Sequence, residues 1–425
     1  MDLWKEWKER GLIYQFSEGA DELLQKQRVC AYIGFDPTAP SLHLGNLLPI
    51  VALEWLKRAG HKPIAVIGTA TGLIGDPSGK TAERPLLLKE QVEKNAEHIA
   101  RQLQKLLGPE VLILYNSDWL SPLSLIDFLR DIGKHFSVSY MLNKESVQTR
   151  MQSQEGISFT EFSYMLLQAM DFLYLFDHYN CVLQLGGRDQ WGNITAGLEL
   201  IRKLRNARAY GIVFPLLLTS AGIKFGKTEA GSLWLDPTLL SPSRLYQFLF
   251  NTSDEDVLNY LKWFTFLPQS EIRELEESLR TDPEKREAQR ILAVAVTGFL
   301  HGATAVAQAE KASQALFRGN LNEIPPEMWE EAFTDVPSTT ISLHEFGTQG
   351  LPFITLLVRT GLASSRSDAR RLIQSGGAYL NNIRISDINF SVTPSHCLHN
   401  CFLVLRKGVK QYHLVKIQKS SPSSE

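Results

Sequence analysis

Short apolar runs alternate with longer amphipathic segments through the first half of the chain. The apolar runs are rich in β-branched and aliphatic residues and show little polar alternation, which is typical of parallel strands buried on both faces. They predict strands at Val29–Phe35, Lys62–Ile67, Val111–Tyr115, Asn180–Leu185 and Ile212–Leu218. The amphipathic segments predict helices at His43–Ala59, Leu86–Leu107, Leu123–Ile132, Glu161–His178 and Asp189–Asn206. This alternation predicts a Rossmann-like, doubly wound α/β sheet, whose ligands bind at the carboxyl ends of the strands.

The second half of the chain has a different pattern. From Ser241 to about Phe317 it is helical, and a proline-bearing stretch then predicts a linker. The last block predicts two short helices followed by strands at Cys401–Leu405 and Tyr412–Ile417. We therefore expect a catalytic domain at 1–220, a helical domain at 221–320, a linker at 321–350, a small α+β domain at 351–420 and a frayed tail at 421–425.

Composition narrows the class of protein. The chain has 425 residues, of which 44% are hydrophobic and 21% charged, as in ordinary globular proteins. No run of 18 apolar residues predicts a membrane span, and the start of the chain lacks the apolar core of a signal peptide. Four cysteines do not make a disulfide scaffold, so we expect a reducing, cytoplasmic setting.

Charge is distributed unevenly along the chain. Residues 351–425 carry 10 Lys and Arg against 3 Asp and Glu, a net +7, whereas the remaining residues carry a net −9. A basic tail on an acidic body is typical of an RNA-contacting appendage, because neutralising phosphate charge drives such binding. A merely solvated basic domain remains the alternative.

Two short motifs about 180 residues apart carry candidate chemistry. His43-Leu-Gly-Asn46 places an imidazole and an amide where a strand turns into a helix, with Thr38 on the turn before it. Gly45 lets a ligand approach the backbone, and a helix N-terminus favours anions. Lys224-Phe-Gly-Lys-Thr228 places two ammonium groups and a hydroxyl on a loop after the last predicted strand. Together they predict a site for a triphosphate, although helix capping by His43 and solvated lysines are the simpler alternatives.

The loop Gly68–Lys80 resembles two nucleotide-binding motifs but matches neither. A P-loop requires glycine where Ile74 stands, and the glycine spacing is not that of a dinucleotide fingerprint. Pro77 and the polar residues around it favour a loop that lines a ligand. Cys397, His399 and Cys401 lack the spacing and the second ligand pair of a zinc site, so we expect no protein-bound metal.

One predicted helix carries a polar stripe on an otherwise apolar surface. Tyr164, Gln168 and Asp171 lie at i, i+4 and i+7, which places them on one face. A carboxylate among so many apolar residues is costly to bury without partners, so the stripe indicates either a polar-ligand pocket or the solvent face. After the next strand, Gly186 and Gly187 would bring backbone close to a ligand, and Asp189 could contact a ribose or cap a helix.

These segments together resemble the bacterial tyrosyl-tRNA synthetases, a family of class I aminoacyl-tRNA synthetases, over essentially the whole chain. The segments that carry the resemblance are Tyr32–Asn46, Gly72–Arg84, Asn116–Trp119, Gly133–Met141, Ser158–Asp171, Gly186–Ile194 and Lys224–Gly231. The two motifs stand for the family's His-Ile-Gly-His and Lys-Met-Ser-Lys-Ser motifs. The resemblance implies activation of L-tyrosine by ATP with Mg²⁺, transfer of the tyrosine to its tRNA, and a homodimer with an interface near Lys134–Met141.

The resemblance also implies roles for individual residues. The tyrosine site would comprise Tyr32 and Asp171 at the phenolic hydroxyl, Tyr164, Gln168 and Asp76 at the ammonium group, and Gln190 lining the site. The ATP site would comprise Gly45, Lys80, Arg84, Gly186, Gly187, Asp189 and Lys227. The catalytic groups would be Thr38, His43, Asn46, Lys224, Lys227 and Thr228. Arg188 departs from the family, which usually has serine there.

The last domain resembles the small RNA-binding fold of the ribosomal-protein S-four type. By that resemblance, Arg366, Arg370 and Arg371 would present a basic helix face to tRNA, and the helical block would contact the anticodon stem. A tryptophanyl-tRNA synthetase has the same fold and chemistry, but Tyr32 with Asp171 and the basic tail argue against it. A non-catalytic RNA-binding relative would be expected to lose His43 or the lysines at 224 and 227, which all remain.

Overall fold

A computed structural model gives the fold. It describes residues 1–80, 82–153, 156–220, 222, 225–228, 231–317, 321, 329, 333, 336–408 and 411–418, with the backbone alone at 227–228 and 314–317. The chain divides into two compact units, the first comprising 1–240 and 249–300, and the second 241–248 and 301–425. Within the described residues, no helix is both long and apolar enough to cross a membrane.

The first unit is built on a six-stranded sheet. Its strands are β1 (Gln15–Phe16), β2 (Cys30–Phe35), β3 (Lys62–Ile67), β4 (Leu112–Tyr115), β5 (Cys181–Gly187) and β6 (Tyr210–Phe214). The order across the sheet is β1-β6-β5-β2-β3-β4, and every neighbouring pair is parallel except the antiparallel β1 and β6. The predicted doubly wound α/β sheet is therefore confirmed. Two further short strands, β7 (Lys227–Thr228) and β8 (Gly231–Ser232), form an antiparallel pair.

Helices connect and cover these strands. Those up to β6 are α1 (Leu3–Glu9), α2 (Ala20–Lys26), α3 (Leu47–Arg58), α4 (Lys89–Leu107), α5 (Ser117–Leu120), α6 (Leu125–Asp127), α7 (Val138–Leu142), α8 (Glu145–Met151), α9 (Phe159–Tyr179) and α10 (Trp191–Arg205). Of the later helices, α12 (Asp254–Phe264), α13 (Gln269–Thr281) and α14 (Glu287–His301) belong wholly or chiefly to the first unit, whereas α11 (Pro242–Phe250) and α15 (Ala303–Phe317) belong chiefly to the second. The helix predicted at Leu123–Ile132 is instead α6 followed by a π-helical turn, Phe128–Ile132.

Three predicted boundaries differ clearly from the observed ones, and the first has a simple physical reason. The last parallel strand ends at Phe214 rather than Leu218, because Pro215 has no N–H to donate to a neighbouring strand. The helix predicted from Leu86 begins at Lys89, and Leu88 is its extended N-cap with 74% of its surface exposed. The helix predicted from His43 begins with a 3₁₀ turn, Leu44–Asn46.

Besides α11 and α15, the second unit contains a five-stranded sheet and two short helices. The strands are β9 (Ser338–Ser342), β11 (Ala378–Leu380), β12 (Ile383–Arg384), β14 (Phe402–Lys407) and β15 (Gln411–Gln418), and β10 (Leu351–Pro352) pairs separately with β13 (Ser391–Val392). The order is β12-β11-β14-β15-β9, with only β15 and β9 parallel. The helices are α16 (Phe353–Arg359) and α17 (Arg366–Gln374).

The predicted linker at 321–350 is wrong over 338–346. Ser338–Ser342 is a strand of the second unit's sheet, and Ile341 and Phe346 are buried in the core beneath it. Trp329 is also fully buried, in a smaller cluster on the other face of that sheet. The predicted boundary at residue 220 is not a boundary between the compact units either, because residues 249–300 belong to the first. The predicted tail at 421–425 lies outside the described residues.

Candidate active site

The strand order of the first unit defines where a ligand binds. From β2 the chain continues to β3 and β4 on one side, whereas β5 and β6 lie on the other. The crevice at the carboxyl ends of β2 and β5 is therefore the topological switch point, where open α/β sheets bind ligands. The polar side chains described below come from β2 and β5, from the segments that follow β2, β3, β4 and β5, and from one face of α9.

Asp171 lies at the buried end of this site. Its side chain projects from α9, is 4% exposed, and accepts hydrogen bonds from the Trp119 indole (Oδ1, 2.8 Å) and the Asn116 amide (Oδ2, 3.1 Å). Burial raises the pKa of Asp171 from 3.8 to about 7, although both hydrogen bonds favour the ionised form. The polar stripe predicted on this helix is thus an inward face, because Tyr164 and Asp171 are both buried.

Tyr32 lies in β2, close enough to Asp171 for the carboxylate charge to affect the pKa of its phenol. The side chain is 1% exposed, and its ring packs edge-on against Phe172 with centroids 5.3 Å apart. Burial, and then the Asp171 charge, raise the pKa of the phenol well above its ordinary value. The buried hydroxyl has no hydrogen-bond partner among the described residues, and neither has Oε1 of Gln184, the residue opposite Tyr32 on β5. Two buried polar atoms on neighbouring strands therefore remain to be satisfied.

A second group of polar side chains surrounds Asp76, on the loop after β3. One carboxylate oxygen accepts from the Gln190 amide at 2.7 Å, and the other accepts from the Ser78 backbone N–H at 2.9 Å. Gln190 also receives a hydrogen bond from Gln168 at 3.2 Å, and Asn193 donates to Gln168 at 3.0 Å. Three of the residues predicted for the tyrosine site, Asp76, Gln168 and Gln190, are therefore brought into one network.

A second carboxylate, Asp36, lies directly after β2. It accepts hydrogen bonds from the Tyr164 hydroxyl at 2.7 Å and from the Thr71 hydroxyl at 2.8 Å. Burial raises the pKa of Asp36 from 3.8 to about 6. Thr71 also accepts from Asn116 at 2.9 Å, and Asn116 in turn donates to Asp171. One chain of hydrogen bonds thus links the Asp36 and Asp171 ends of the site.

Several residues of this site were given no role from the sequence. They are Asp36, Thr71, Asn116, Trp119, Gln184 and Asn193. Asp36 could have been found from its place at the carboxyl end of a predicted strand, and Gln184 from being the one polar residue in an apolar strand. For Trp119 and Asn193 the sequence carries no comparable signal, because their roles arise only when distant helices meet.

The His43–Asn46 segment forms a reciprocal cap. The imidazole Nδ1 accepts from the Gly45 N–H, and the Asn46 side-chain oxygen accepts from the His43 N–H, both at 3.0 Å. The simpler capping alternative is thus correct for the local geometry. Capping does not remove a functional role, because it fixes the orientation of the imidazole.

Backbone pairing joins the two motifs that lie far apart in sequence. The Leu44 N–H donates to the carbonyl of Leu233 at 2.8 Å, and the Leu233 N–H donates to that of Gly226 at 2.9 Å. Gly226 has φ +78°, and a Cβ there would lie 2.6 Å from Cβ of Leu44, so only glycine fits. Phe225 anchors the loop, because its buried ring stacks on Phe264 with centroids 5.0 Å apart. Lys227 and Thr228 form β7, whereas Lys224 lies outside the described residues.

The remaining residues predicted for the nucleotide lie on loops around this edge of the sheet. Gly186 and Gly187 end β5, and a Cβ on Gly187 would approach the Asp189 carboxylate to 2.6 Å. Asp189 lies beside Gly79, next to the half-buried Lys80. Arg84 packs against Gly75, and its charge acts on Asp36. Thr38 is exposed on the turn that follows Asp36.

The predicted tRNA-binding arginines lie in the second unit. Arg366, Arg370 and Arg371 are exposed on α17, whose N-cap Ser365 accepts from the Asp368 N–H. One guanidinium nitrogen of Arg371 lies 3.9 Å from a carboxylate oxygen of Asp368. A surface ion pair of this kind is weak and does little to fix the position of the arginine.

Comparison with family models defines the class of protein. Residues 24–318 match the model of the class I tRNA synthetases for tryptophan and tyrosine, and residues 328–415 match that of the SYY-like C-terminal domain of tyrosine–tRNA ligase. The first match alone covers more than half of the chain. The chain therefore belongs to the class I tRNA synthetases.

Individual relatives narrow the family within that class. The chain is 53% identical to the tyrosine–tRNA ligase of Roseiflexus castenholzii, over 96% of this chain and 97% of that protein. It is 51% identical to the tyrosine–tRNA ligase of Geobacillus kaustophilus, over 98% of this chain and 100% of that protein. Within the class it is a member of the bacterial tyrosyl-tRNA synthetase family, as the resemblance predicted.

Solved structures agree on the fold. A C-terminally truncated mitochondrial tyrosyl-tRNA synthetase from Aspergillus nidulans matches with a TM-score of 0.68 and 31% identity, over 74% of this chain and 94% of that chain. A tryptophanyl-tRNA synthetase from Encephalitozoon cuniculi matches with a TM-score of 0.54 and 15% identity, over 73% of this chain and 89% of that chain. At that identity the second match concerns the fold alone, so the choice between the two amino acids rests on sequence similarity and on the pocket.

Proposed function

We propose that this chain activates L-tyrosine with ATP, forming tyrosyl-adenylate and pyrophosphate, and then transfers the tyrosine to the 3′ end of its tRNA. The observation that supports the choice of amino acid is the buried Tyr32 hydroxyl, which lacks a partner among the described residues beside the buried carboxylate of Asp171. A phenolic hydroxyl would satisfy both, donating to Asp171 and accepting from Tyr32.

Selectivity follows from the same pair. Phenylalanine would leave these two buried polar groups unpaired, and a site built to hydrogen-bond a hydroxyl strongly rejects an analogue that lacks it. Tyrosine–tRNA ligases are themselves the standard example of this principle. The ammonium group of the substrate would lie at the other end of the pocket, with Tyr164, Gln168 and Asp76, and Gln190 would line the wall.

The first chemical step requires positioning more than acid–base catalysis. A carboxylate oxygen of tyrosine attacks the α-phosphorus of ATP, the bond to the bridging oxygen breaks, and pyrophosphate leaves with the electron pair. No proton moves between these groups, so the protein holds the reactants in line and stabilises charge on the leaving group. We assign the triphosphate to Thr38, His43, Asn46, Lys80, Arg84, Lys224, Lys227 and Thr228.

We assign the adenosine to the loop after β5 and to the first motif. The backbone of Gly186 and Gly187 and the carboxylate of Asp189 would hold the ribose, and Gly45 would allow close approach of the nucleotide. Mg²⁺ would enter with ATP. The groups assigned to the phosphates are cations, hydroxyls, an amide and an imidazole rather than carboxylates, so the ion would be held chiefly by phosphate oxygens and water.

The second step requires tRNA. We propose that residues 351–420 form a tRNA-binding domain with Arg366, Arg370 and Arg371 as phosphate contacts. Replacing all three with glutamine should weaken tRNA charging and reduce its salt dependence, and leave adenylate formation unchanged. Replacing them with lysine keeps the charge and is the matched control. Equal loss of both activities in the glutamine variant would contradict this division of labour.

The test of the function is amino-acid-dependent exchange between pyrophosphate and ATP, measured with tyrosine, tryptophan and phenylalanine in parallel. We expect exchange with tyrosine alone. Exchange with tryptophan instead would retain the chemistry but overturn the assignment of Tyr32 and Asp171. Absence of exchange with any of the three would favour a non-catalytic RNA-binding protein.

We also propose a cytoplasmic homodimer with its interface near Lys134–Met141. Large apolar side chains are exposed around this region, with Val138 62%, Leu125 70% and Ile126 69% exposed. Exposed apolar surface of this kind is typical of an interface. Sedimentation equilibrium should give twice the chain mass, and Val138→Asp should shift the equilibrium toward monomer. The cytoplasmic assignment fits four cysteines that are all free thiols.

A further inference from the structure

Arg188 points away from the pocket that its neighbours line. It begins the 3₁₀ turn Arg188–Gln190, in which successive side chains diverge by about 120°. Gln190 turns inward and donates to Asp76 at 2.7 Å. Arg188 instead lies over the ring of Tyr14, with its guanidinium carbon 4.6 Å from the ring centroid. The two residues form a pair, which we call the rim pair, outside the amino-acid site.

The rim pair lies at the functional edge of the sheet. The Tyr14 N–H donates to the carbonyl of Val213 at 2.9 Å, which places Tyr14 next to the carboxyl end of β6. Gly187, the residue before Arg188, pairs with Phe214 at the same end of that strand. Tyr14 precedes the antiparallel edge strand β1, and Arg188 follows β5, so both residues lie at the carboxyl ends of the parallel strands β5 and β6, the same edge of the sheet as the switch point.

The guanidinium of the rim pair is available to an anion. Arg188 is exposed, Tyr14 is 48% exposed, and neither an ion pair nor a hydrogen bond joins the Arg188 guanidinium to any of the described residues. An arginine held over an aromatic ring keeps its N–H donors in the guanidinium plane, where they match the oxygens of a phosphate. The aromatic contact also reduces the conformational freedom that the long side chain would lose on binding.

We propose that the rim pair binds a backbone phosphate near the single-stranded 3′ end of the tRNA, with Arg188 contacting the phosphate and Tyr14 positioning the guanidinium. This inference rests on the proposed function. The second chemical step requires the terminal ribose of the tRNA to reach the adenylate at the carboxyl edge of the sheet. The strand that carries that ribose must therefore cross the rim of the site, and its phosphates need cationic partners there.

The direction of the side chain favours tRNA over ATP. The residues assigned to the nucleotide on this loop are Gly186, Gly187 and Asp189, and Asp189 lies beside Gly79. Arg188 faces the edge-strand side, toward Tyr14. A residue that contacted the ATP phosphates would instead be expected to face the His43–Asn46 segment, which follows β2 on the opposite side of β5.

The test separates the two half-reactions in the full-length protein. Tyrosine-dependent pyrophosphate exchange without tRNA gives the KM for ATP, and aminoacylation at several salt concentrations gives the KM for tRNA. Arg188→Gln should raise the KM for tRNA roughly 3- to 10-fold at low salt. It should also reduce the salt slope, the steepness with which the logarithm of tRNA affinity falls with the logarithm of salt concentration, by about 0.7, the value for one single-strand phosphate contact. The KM for ATP in exchange should remain within about twofold.

Matched variants distinguish the two roles. Arg188→Lys keeps the charge and should retain most of the salt slope, and Tyr14→Ala should raise the KM for tRNA by roughly 2- to 5-fold through loss of the ring. Tyr14→Phe keeps the ring and should behave as the wild type. Lys26→Gln removes an exposed cation that pairs with Glu22 at 2.6 Å and should change neither KM.

Three outcomes would overturn the proposal. A raised KM for ATP with an unchanged KM for tRNA would assign Arg188 to the nucleotide site. An unchanged salt slope in Arg188→Gln would make the rim pair a solvated surface contact. A loss in Tyr14→Phe as large as in Tyr14→Ala would exclude ring positioning. Failure of the wild type to exchange pyrophosphate with tyrosine would instead reject the proposed function itself.

Discussion

Asp171→Asn should make the enzyme a poorer catalyst and, above neutral pH, a more stable protein. A carboxylate whose pKa rises from 3.8 in the unfolded chain to about 7 in the fold binds its proton more tightly when folded. The contribution of Asp171 to the free energy of unfolding therefore falls as the pH rises from about 4 to about 7 and then levels off, and the full cost of its ionisation is about 4 kcal/mol. Asparagine at this position does not titrate and avoids that cost.

The net gain is smaller because asparagine has only one acceptor oxygen. The carboxylate accepts from both Trp119 and Asn116, so one of these buried donors would face an amide NH₂ in the variant. That mismatch costs about 1–3 kcal/mol and depends little on pH. The pH-dependent part is the sharper quantity. Between pH 5 and pH 8 the stability difference between variant and wild type should grow by roughly 2–3 kcal/mol in favour of the variant.

Thermal unfolding at these two pH values measures the difference. A change of that size corresponds to a relative Tm shift of roughly 4–10 °C for a unit of this size. Asp177→Asn is the matched control on the same helix, because Asp177 pairs with Arg205 near the surface, with its side chain 27% exposed. If the Tm difference between Asp171→Asn and the wild type is the same at pH 5 and pH 8, the argument that Asp171 is costly to ionise in the fold is refuted.

The same variant tests the proposed recognition of tyrosine. Loss of a hydrogen bond to a charged acceptor should lower kcat/KM for tyrosine in pyrophosphate exchange by roughly 10- to 150-fold. The small value for phenylalanine should not fall, since that substrate has no hydroxyl to lose a partner. Unchanged discrimination between the two amino acids would remove Asp171 from the phenolic end of the pocket.

Three further substitutions probe other parts of the chain. Gly226→Ala should lower pyrophosphate exchange at least about 10-fold because its Cβ would meet Leu44. Gly222→Ala should lower it much less, because Gly222 has a similar φ but no atom of the described residues lies within 4 Å of its added Cβ. Arg10→Met leaves the carbonyls of 262, 265 and 267 without their donor and should cost about 3–5 kcal/mol in the first unit, read as a lower Tm. Trp329→Ala should lower the free energy of unfolding of the second unit by about 3–5 kcal/mol, and should lower tRNA charging but not pyrophosphate exchange. An unchanged Tm would indicate that this segment is a linker, as the sequence predicted.

The sequence predicted most of the sheet because its strands are apolar on both faces. Runs such as Lys62–Ile67 have no rival interpretation once their length and flanking turns are counted, and that strand was predicted with its observed bounds. Ser338–Ser342 was missed for the opposite reason. Only Ile341 of that strand is fully buried, and the other four residues are serines and threonines, so nothing in the sequence marks it as part of a sheet.

The candidate site was predictable where one segment carries the signal. The stripe of Tyr164, Gln168 and Asp171 follows from helical spacing alone, and in the structure all three side chains join the hydrogen bonds of the candidate site. Whether that stripe faced solvent or a pocket could not be decided locally, because the answer depends on α9 lying against strands that are distant in sequence. The hydrogen bonds from Trp119 and Asn116 to Asp171 span 52 and 55 residues, so they too could not be predicted from a local pattern.

Two carboxylates of the candidate site are costly to ionise in the fold. Asp36 and Asp171 carry pKa values of about 6 and about 7, raised chiefly by burial, so the fold forgoes stability near neutral pH to keep them where they are. A ligand with an ammonium at one end and a phenolic hydroxyl at the other would relieve both, by pairing with the charge at Asp36 and Asp76 and by donating a hydrogen bond to Asp171. Relief of this cost when the ligand binds would then add to the free energy of binding. We therefore expect the groups that weaken the empty fold to be those that select the amino acid, so replacing them should separate stability from activity.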